Sequence, residues 1–238
     1  MWLLVTVLAL PIFAYILFEI SRSDQFQFFG KLIYEVDTKE KIVALTFDDG
    51  PTIKGTDPVL KVLKDHDIKA TFYLNGSSIK KSPKLTRQII DAGHEIGNHS
   101  YSHKRMIFMS YSEVAREIES TTKLIKELGY EGKIRFRPPF GKKLFVLPYY
   151  LSKNDLTTIT WSVETETFNP GEDTPELIIK RAMTSVKPGA IILLHVMYGD
   201  GASLKALPEI ITRLKQQGYS FATVSELIAL SEKSTSNR

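Results

Sequence analysis

Ile42-Val43-Ala44-Leu45-Thr46-Phe47 runs directly into Asp48-Asp49-Gly50-Pro51, so an apolar stretch ends on two adjacent carboxylates. A short apolar run stopped by Gly and Pro reads as a buried strand. The acids then sit at the strand's C-terminal end, where parallel β/α folds gather their active sites. Asp, Gly and Pro also make ordinary turns, which is the competing reading. Two carboxylates side by side after a buried strand repel one another, however, unless a cation lies between them.

Working outward, the same arrangement recurs. A candidate strand around His94–Ile96 ends in Asn98-His99-Ser100-Tyr101-Ser102-His103, and Ile134–Phe136 ends in Arg137-Pro138-Pro139-Phe140-Gly141. Thr157–Val163 ends in Glu164, and Ile191–Leu194 in His195. Ala70–Leu74 is a further strand, stopped by Asn75-Gly76. Helical segments alternate with these strands. Asp57-Pro58, Ser82-Pro83 and Thr174-Pro175 are N-terminal signals, each a capping residue before Pro. Ser110 and Glu113 make a capping box ahead of Val114, Ile118, Thr121, Ile125 and Leu128 at helical spacing. Helices are also expected near Leu144–Ser152 and over Ser203–Gln217, and Phe221–Thr223 with Ser225–Leu230 finishes the pattern. Lys31–Val36 and Ile42–Phe47, flanking the polar Asp37–Lys41, predict an opening hairpin. Strands alternating with helices imply a mostly parallel sheet, and about seven such units point to an α/β fold of distorted (β/α)7-type barrel architecture.

The chain has 238 residues, enough for one domain, with 43% hydrophobic and 24% charged residues. The formal net charge of +4 is mild and no dense Lys/Arg stripe stands out. That suits anionic envelope polymers, although a merely solvated surface accounts for it first, and it gives no argument for nucleic acid. There is no cysteine, so disulfides and thiolate metal sites are excluded and any metal must bind through His, Asp or Glu. Met1 to Phe18 carries no charged side chain, long enough to cross a bilayer, with neither the basic start nor the small-residue cleavage site of a signal peptide. The expected organisation is a signal-anchor or transmembrane helix over 1–20, a connector over 21–30, the catalytic-type domain over 31–230 and a disordered polar tail over 231–238.

The candidate chemistry lies on the strand ends. His99 and His103 are four apart, so in a helical turn both imidazoles share one face and one ion. A carboxylate from Asp48 or Asp49 would complete a two-His, one-carboxylate face with positions open for water and substrate. One acid would then ligate the metal and the other take a proton from water. His195 falls on the same rim, whereas His66 reads as solvated and His94 as part of a turn.

Thr46-Phe47-Asp48-Asp49-Gly50, His99-Ser100-Tyr101-Ser102-His103, Arg137-Pro138-Pro139-Phe140-Gly141 and Ile191-Ile192-Leu193-Leu194-His195 occur in this order. They resemble the successive motifs of the polysaccharide deacetylase family, also called the NodB-homology or carbohydrate esterase family 4 domain, over about Lys31 to Leu230. The resemblance implies a distorted β/α barrel holding Zn²⁺, or Co²⁺ or Ni²⁺, and metal-dependent removal of acetyl groups from an extracytoplasmic N-acetylated polysaccharide, peptidoglycan or a chitin-like polymer. It makes Asp48 the general base, Asp49, His99 and His103 the metal ligands, Arg137 the partner of Asp48 and His195 the general acid. Pro139, Phe140, Ile191, Leu193 and Phe168 become substrate-binding residues, with the Phe140 backbone N–H at the oxyanion and Ile191 and Leu193 in the acetyl pocket. The implied partners are a cell-envelope glycan and, through residues 1–20, the membrane, with no nucleic acid and no protein partner.

One motif departs from the family. The segment Trp161-Ser162-Val163-Glu164-Thr165-Glu166-Thr167-Phe168 has Glu164 and Thr167 where the family carries two Asp, and Phe168 where it carries Trp. The second Asp tunes the acid histidine in the family. Either Glu164 or Glu166 supplies the missing charge, or the enzyme works best at lower pH. The alternative reading is a catalytically weak, anchored glycan-binding protein of the same fold. A non-haem iron oxygenase would fit the metal face alone and leave Asp48, Arg137 and His195 unexplained.

Overall fold

The computed structural model describes residues 2–167, 172–198 and 201–236, with side chains over 10–167, 172–198 and 201–230. Strand β2 (Ile42–Asp48) is its centre. β3 (Thr71–Leu74) and β7 (Ile191–Leu194) flank its second half, and β4 (Glu95–Asn98) lies beyond β3, all parallel. Isolated parallel bridges carry the sheet from Asn98 to Phe136 and on to Thr158 in β5 (Thr158–Ile159). β6 (Val163–Glu164) then pairs with β7. The expected strand over Thr157–Val163 is therefore one stave broken in the middle, and its two ends close the ring. β8 (Ser220–Ala222) pairs with the first half of β2, on the side that β3 occupies higher up. This is the distorted α/β barrel that the alternation predicts.

Side-chain alternation decides what faces the inside. Val43, Leu45 and Phe47 of β2 join Phe72, Leu74, Ile96, Ile192 and Leu194 in the layer beneath the helices. Ala44 belongs to the inner cluster with Tyr73, Trp161, Ile191 and Leu193. By the period of two, Thr46 and Asp48 follow Ala44 on the inner face. The outer layer is covered by α2 (Thr56–Asp65), α4 (Pro83–Asp91), α5 (Tyr111–Glu127), α7 (Pro175–Ser185) and α8 (Ala202–Gln216), through Val59, Leu63, Ile89, Ile125, Ile178, Leu207, Ile210 and Leu214. Each such side chain contributes about 1.5–3 kcal/mol on full burial. α9 (Val224–Ser236) closes the lower end through Leu227 and Ile228. There Glu95 accepts hydrogen bonds from Thr71, Arg135 and the Ser225 backbone, tying α9 to β3 and β4.

Several local expectations change. β1 (Leu32–Ile33) does not form a hairpin with β2; it pairs in parallel with β5 and covers that otherwise open strand. Ile134–Arg137 makes only a single-residue bridge at Phe136. α2 starts after Gly55, so Asp57 lies in its first turn instead of capping it. β3 stops at Asn75-Gly76 as expected, with Asn75 leading straight into α3 (Gly76–Lys81), and α6 spans Val146–Lys153. Ser82, Thr174 and the Ser110–Glu113 capping box stand where the sequence puts them. α9 extends into the stretch expected to be a disordered tail.

At the other end α1 covers Trp2–Arg22. Among the described residues no helix is long and apolar enough to cross a membrane, so the anchor expectation gains no support from the structure. The connector is docked. Lys143 donates its backbone N–H to the Ser21 carbonyl (2.9 Å) and its ammonium to the Ser23 carbonyl, while Thr160 donates to the carbonyl of Asp24 (2.5 Å).

Candidate active site and metal centre

The upper end of the barrel opens into a cavity of about 810 Å³ lined by Asp48, Asp49, His99, His103, Phe140, Trp161, Glu166, Leu193, His195 and Tyr198, among others. Strand ends place most of these groups. Asp48 is the last residue of β2, and β4 ends at Asn98, β6 at Glu164 and β7 at Leu194.

Asp48 is held first. Arg137, fully buried, donates through Nη1 to Asp48 Oδ1 (2.6 Å) and to Thr46 Oγ1 (2.8 Å), and through Nη2 to the Thr160 carbonyl (3.0 Å). Its guanidinium lies 4.0 Å from the centre of the Tyr73 ring. A buried cation this constrained orients a carboxylate instead of merely pairing with it. Burial alone would raise the Asp48 carboxyl, but Arg137, then His99 and His195, outweigh it and hold it below the usual carboxylate range. Its second oxygen is 3.6 Å from His99 Nε2.

Asp49, His99 and His103 form the metal-type cluster, with ligand atoms all within 4.8 Å of one another. Asp49 Oδ1 is 3.3 Å from His103 Nε2 and 4.0 Å from His99 Nε2. His99 Nδ1 lies 2.8 Å from the Arg137 carbonyl, so it carries the proton and leaves Nε2 as the free donor atom. Burial depresses His103, favouring the neutral imidazole a metal needs. The donor set of two imidazoles and one carboxylate fits a divalent ion of the zinc type, with positions left for water and substrate.

The histidine pair does not sit on a helical turn as its spacing implies. β4 ends at Asn98, and residues 99–103 are a loop with Ser100 and His103 in left-handed backbone (φ 65 and 57). The loop is fixed by Glu117 of α5, which accepts hydrogen bonds from the backbone N–H of Tyr101 (2.9 Å) and Ser102 (2.8 Å). Asp49 and Phe140, with φ of 68 and 58, are also left-handed, so the rim stores backbone strain beside its functional side chains.

On the far side of the cavity Glu166 meets His195. Its carboxylate accepts from the His195 backbone N–H (3.0 Å), the imidazole Nδ1 and the Ser203 hydroxyl. Burial would lower the imidazole, but the Glu166 hydrogen bond and charge, aided by Asp48 and Asp49, carry it up to about 9. Of the two candidates for the missing charge, Glu166 makes the contact. Glu164 is itself pushed up to about 7, by burial and then by the nearby Asp24. The loop bearing Glu166 is braced by Arg181, which donates to the Thr165 carbonyl (3.0 Å) and pairs with Asp173.

Thus Asp48, Asp49, His99, His103, Arg137, His195, Phe140 and Leu193 converge. Pro139 is buried in a short 3-10 turn and Ile191 in the barrel interior, so neither lines the cavity. Ile191 shares a strand face with Leu193 but lies one layer deeper. Phe168 lies outside the described residues. Tyr198, Asp173 and Ser203 line the cavity without any motif pointing to them; their only sequence signal is position shortly after a strand end.

The chain matches the family profile described as polysaccharide deacetylase over residues 35–159. A peptidoglycan-N-acetylglucosamine deacetylase of Bacillus cereus is 34% identical over 200 residues, covering 84% of this chain and 93% of that protein. PgdA, a peptidoglycan-N-acetylglucosamine deacetylase of Listeria monocytogenes, is 36% identical over 190 residues, 79% of this chain but 39% of its own length. The solved structure of a CE4-family pseudoenzyme from Bacillus anthracis is similar with a TM-score of 0.73 and 32% identity, covering 83% of this chain and 68% of that one.

Proposed function

The chain belongs to the polysaccharide deacetylase family of CE4 hydrolases, and from that premise we propose that it hydrolyses acetamide groups on an N-acetylated cell-envelope glycan, with peptidoglycan the leading substrate. The observation that carries this reading is the convergence, in one cavity, of the Arg137-bound Asp48, the Asp49–His99–His103 cluster and the Glu166-bound His195.

A divalent ion held by Asp49, His99 and His103 would polarise the acetyl carbonyl and lower the pKa of the attacking water. Asp48 is ionised at neutral pH, and its oxygen not held by Arg137 faces His99, placed to take the proton from that water. Phe140 lines the cavity in a left-handed turn, and its backbone N–H would support the developing oxyanion. His195 keeps Nδ1 on Glu166, leaving Nε2 to protonate the departing amine as the carbon–nitrogen bond breaks. Acetate and a free amino sugar result. Leu193 and Trp161 give the cavity an apolar wall for the acetyl methyl. The Glu166–His195 pair favours turnover over a binding-only role, because it restores a carboxylate that Thr167 does not supply. The uncharged run from Met1 to Phe18 supports an anchored, extracytoplasmic enzyme; carbonate-resistant membrane fractionation of the full chain tests that part.

The deciding experiment measures acetate released from peptidoglycan and N-acetylglucosamine oligomers by the full chain, with chelator and with Zn²⁺ or Co²⁺. Metal-dependent release that Asp48→Asn abolishes is the expected result. Stoichiometric metal binding without release from either polymer would move the function to glycan binding.

A further inference from the structure

Each of the two adjacent carboxylates in the cavity has one oxygen turned to the histidines and one taken by a donor. For Asp48 the donor is Arg137. For Asp49 it is the Tyr198 hydroxyl, 2.7 Å from Oδ2, which leaves Oδ1 to face His99 and His103. We propose that Tyr198 is a positioning residue for the metal centre, holding Asp49 in a one-oxygen ligand geometry and raising the affinity of the site for its ion. The inference rests on the metal reading of Asp49, His99 and His103.

The side chain is placed the wrong way round for a packing role. Tyrosines usually bury the ring and leave the hydroxyl wet, whereas Tyr198 is 61% exposed and turns its hydroxyl inward. The segment carrying it is built for this. Val196–Tyr198 forms a 3-10 turn directly after His195, and two glycines of the loop after Asp49 make room for it. A Cβ on Gly55 would come within 2.4 Å of Met197 Cα, and one on Gly50 within 2.8 Å of the Met197 side chain. Thr52 adds a hydrogen bond from its hydroxyl to the Met197 carbonyl. The loop that bears the ligand and the turn that bears its partner are thus packed closely together at Gly55 and Met197.

The choice of donor follows from the two roles. A general base benefits from a cation that keeps it ionised. A metal ligand is better served by a neutral donor, which fixes orientation without competing with the ion for the carboxylate's charge. Loss of an outer hydrogen-bond partner of this kind typically weakens metal binding by about 10- to 100-fold.

The test is direct titration of metal-free full chain with Co²⁺, followed by calorimetry and by the visible absorption of the bound ion, for the native chain, Tyr198→Phe and Tyr198→Ala. Tyr198→Phe keeps the ring and removes only the hydroxyl. It is expected to bind Co²⁺ about tenfold or more weaker, with an altered absorption spectrum and an unchanged melting temperature of the metal-free protein. Tyr198→Ala is expected to lose no more affinity than Tyr198→Phe. Tyr198→Phe binding within about twofold of the native chain, with the same spectrum, would overturn the proposal while leaving the metal reading intact. A native chain that binds no Co²⁺ would instead remove the metal reading and this inference with it.

Discussion

Replacing Glu166 with Gln isolates the charge that tunes His195, because Gln keeps the length and an acceptor oxygen for the imidazole Nδ1. The histidine lies at about 9 against an ordinary 6.5, raised by the Glu166 hydrogen bond and charge in spite of burial. At 1.36 kcal/mol for each tenfold change, that gap corresponds to roughly 3 kcal/mol favouring the imidazolium. The side chain is 17% exposed, so solvent screens little of this. Without the carboxylate, burial dominates and the imidazole falls to its ordinary value or below. At pH 8 a group titrating near 9 is about 90% protonated and one near 6.5 about 3%, so acetate release should fall about thirtyfold there and by less than about twofold at pH 6. The assay is the pH dependence of acetate release between pH 5 and 10, read as the position of the alkaline limb. A limb that stays in place in Glu166→Gln would refute the assignment of Glu166 as the tuning group. Stability follows the same sign. The folded-state value is raised, so the pair's contribution is complete below about pH 6.5 and is lost as pH rises through about 9.

Three further outcomes test other parts of the site. Asp48→Asn should retain Co²⁺ binding and lower acetate release by about 10²- to 10⁴-fold, since it removes proton transfer and leaves the ligand set. Arg137→Met should cost about 3–5 kcal/mol in urea unfolding by stranding a buried carboxylate, and Arg137→Met with Asp48→Asn should recover part of that loss. Gly189→Ala should lower stability by about 2 kcal/mol or more in thermal melts: a Cβ there would meet the Val36 carbonyl oxygen at 1.7 Å, and its φ is 79. An unchanged melt would contradict the close approach of that glycine to Val36.

What the sequence revealed about this fold is what short-range chemistry specifies. The apolar runs, the Ser110 capping box and the Ser82-Pro83 and Thr174-Pro175 starts each depend on residues within one turn or strand. The polar residues at the strand ends were legible for the same reason. Pairing across the barrel was not. Nothing local in Leu32-Ile33 distinguishes a hairpin partner of β2 from a parallel partner of β5 more than a hundred positions on. His99 and His103 meet as their spacing implies, yet through a loop held by Glu117, which no helical period describes. Glu164 and Glu166 were equivalent on the sequence, and the end of β6 separates their environments. Tyr198 carried no signal beyond its place just after a strand end, because its partner Asp49 lies 149 residues away.

The central position of β2 also sets a timetable. Thr46 donates its hydroxyl hydrogen bond to Ile192, 146 residues later, and the first half of β2 waits longer still for β8. At 5–20 residues per second, roughly 7 to 30 s separate synthesis of that strand from the arrival of its neighbour. Throughout that interval β2 lacks its β7 and β8 neighbours, and the barrel cannot close. A barrel completed by β7 and β8 stays threadable until those strands have been made. For an exported chain that delay is useful, since a folded barrel does not pass through a translocation pore; for one produced in the cytoplasm without export, the same delay leaves the strand open to aggregation.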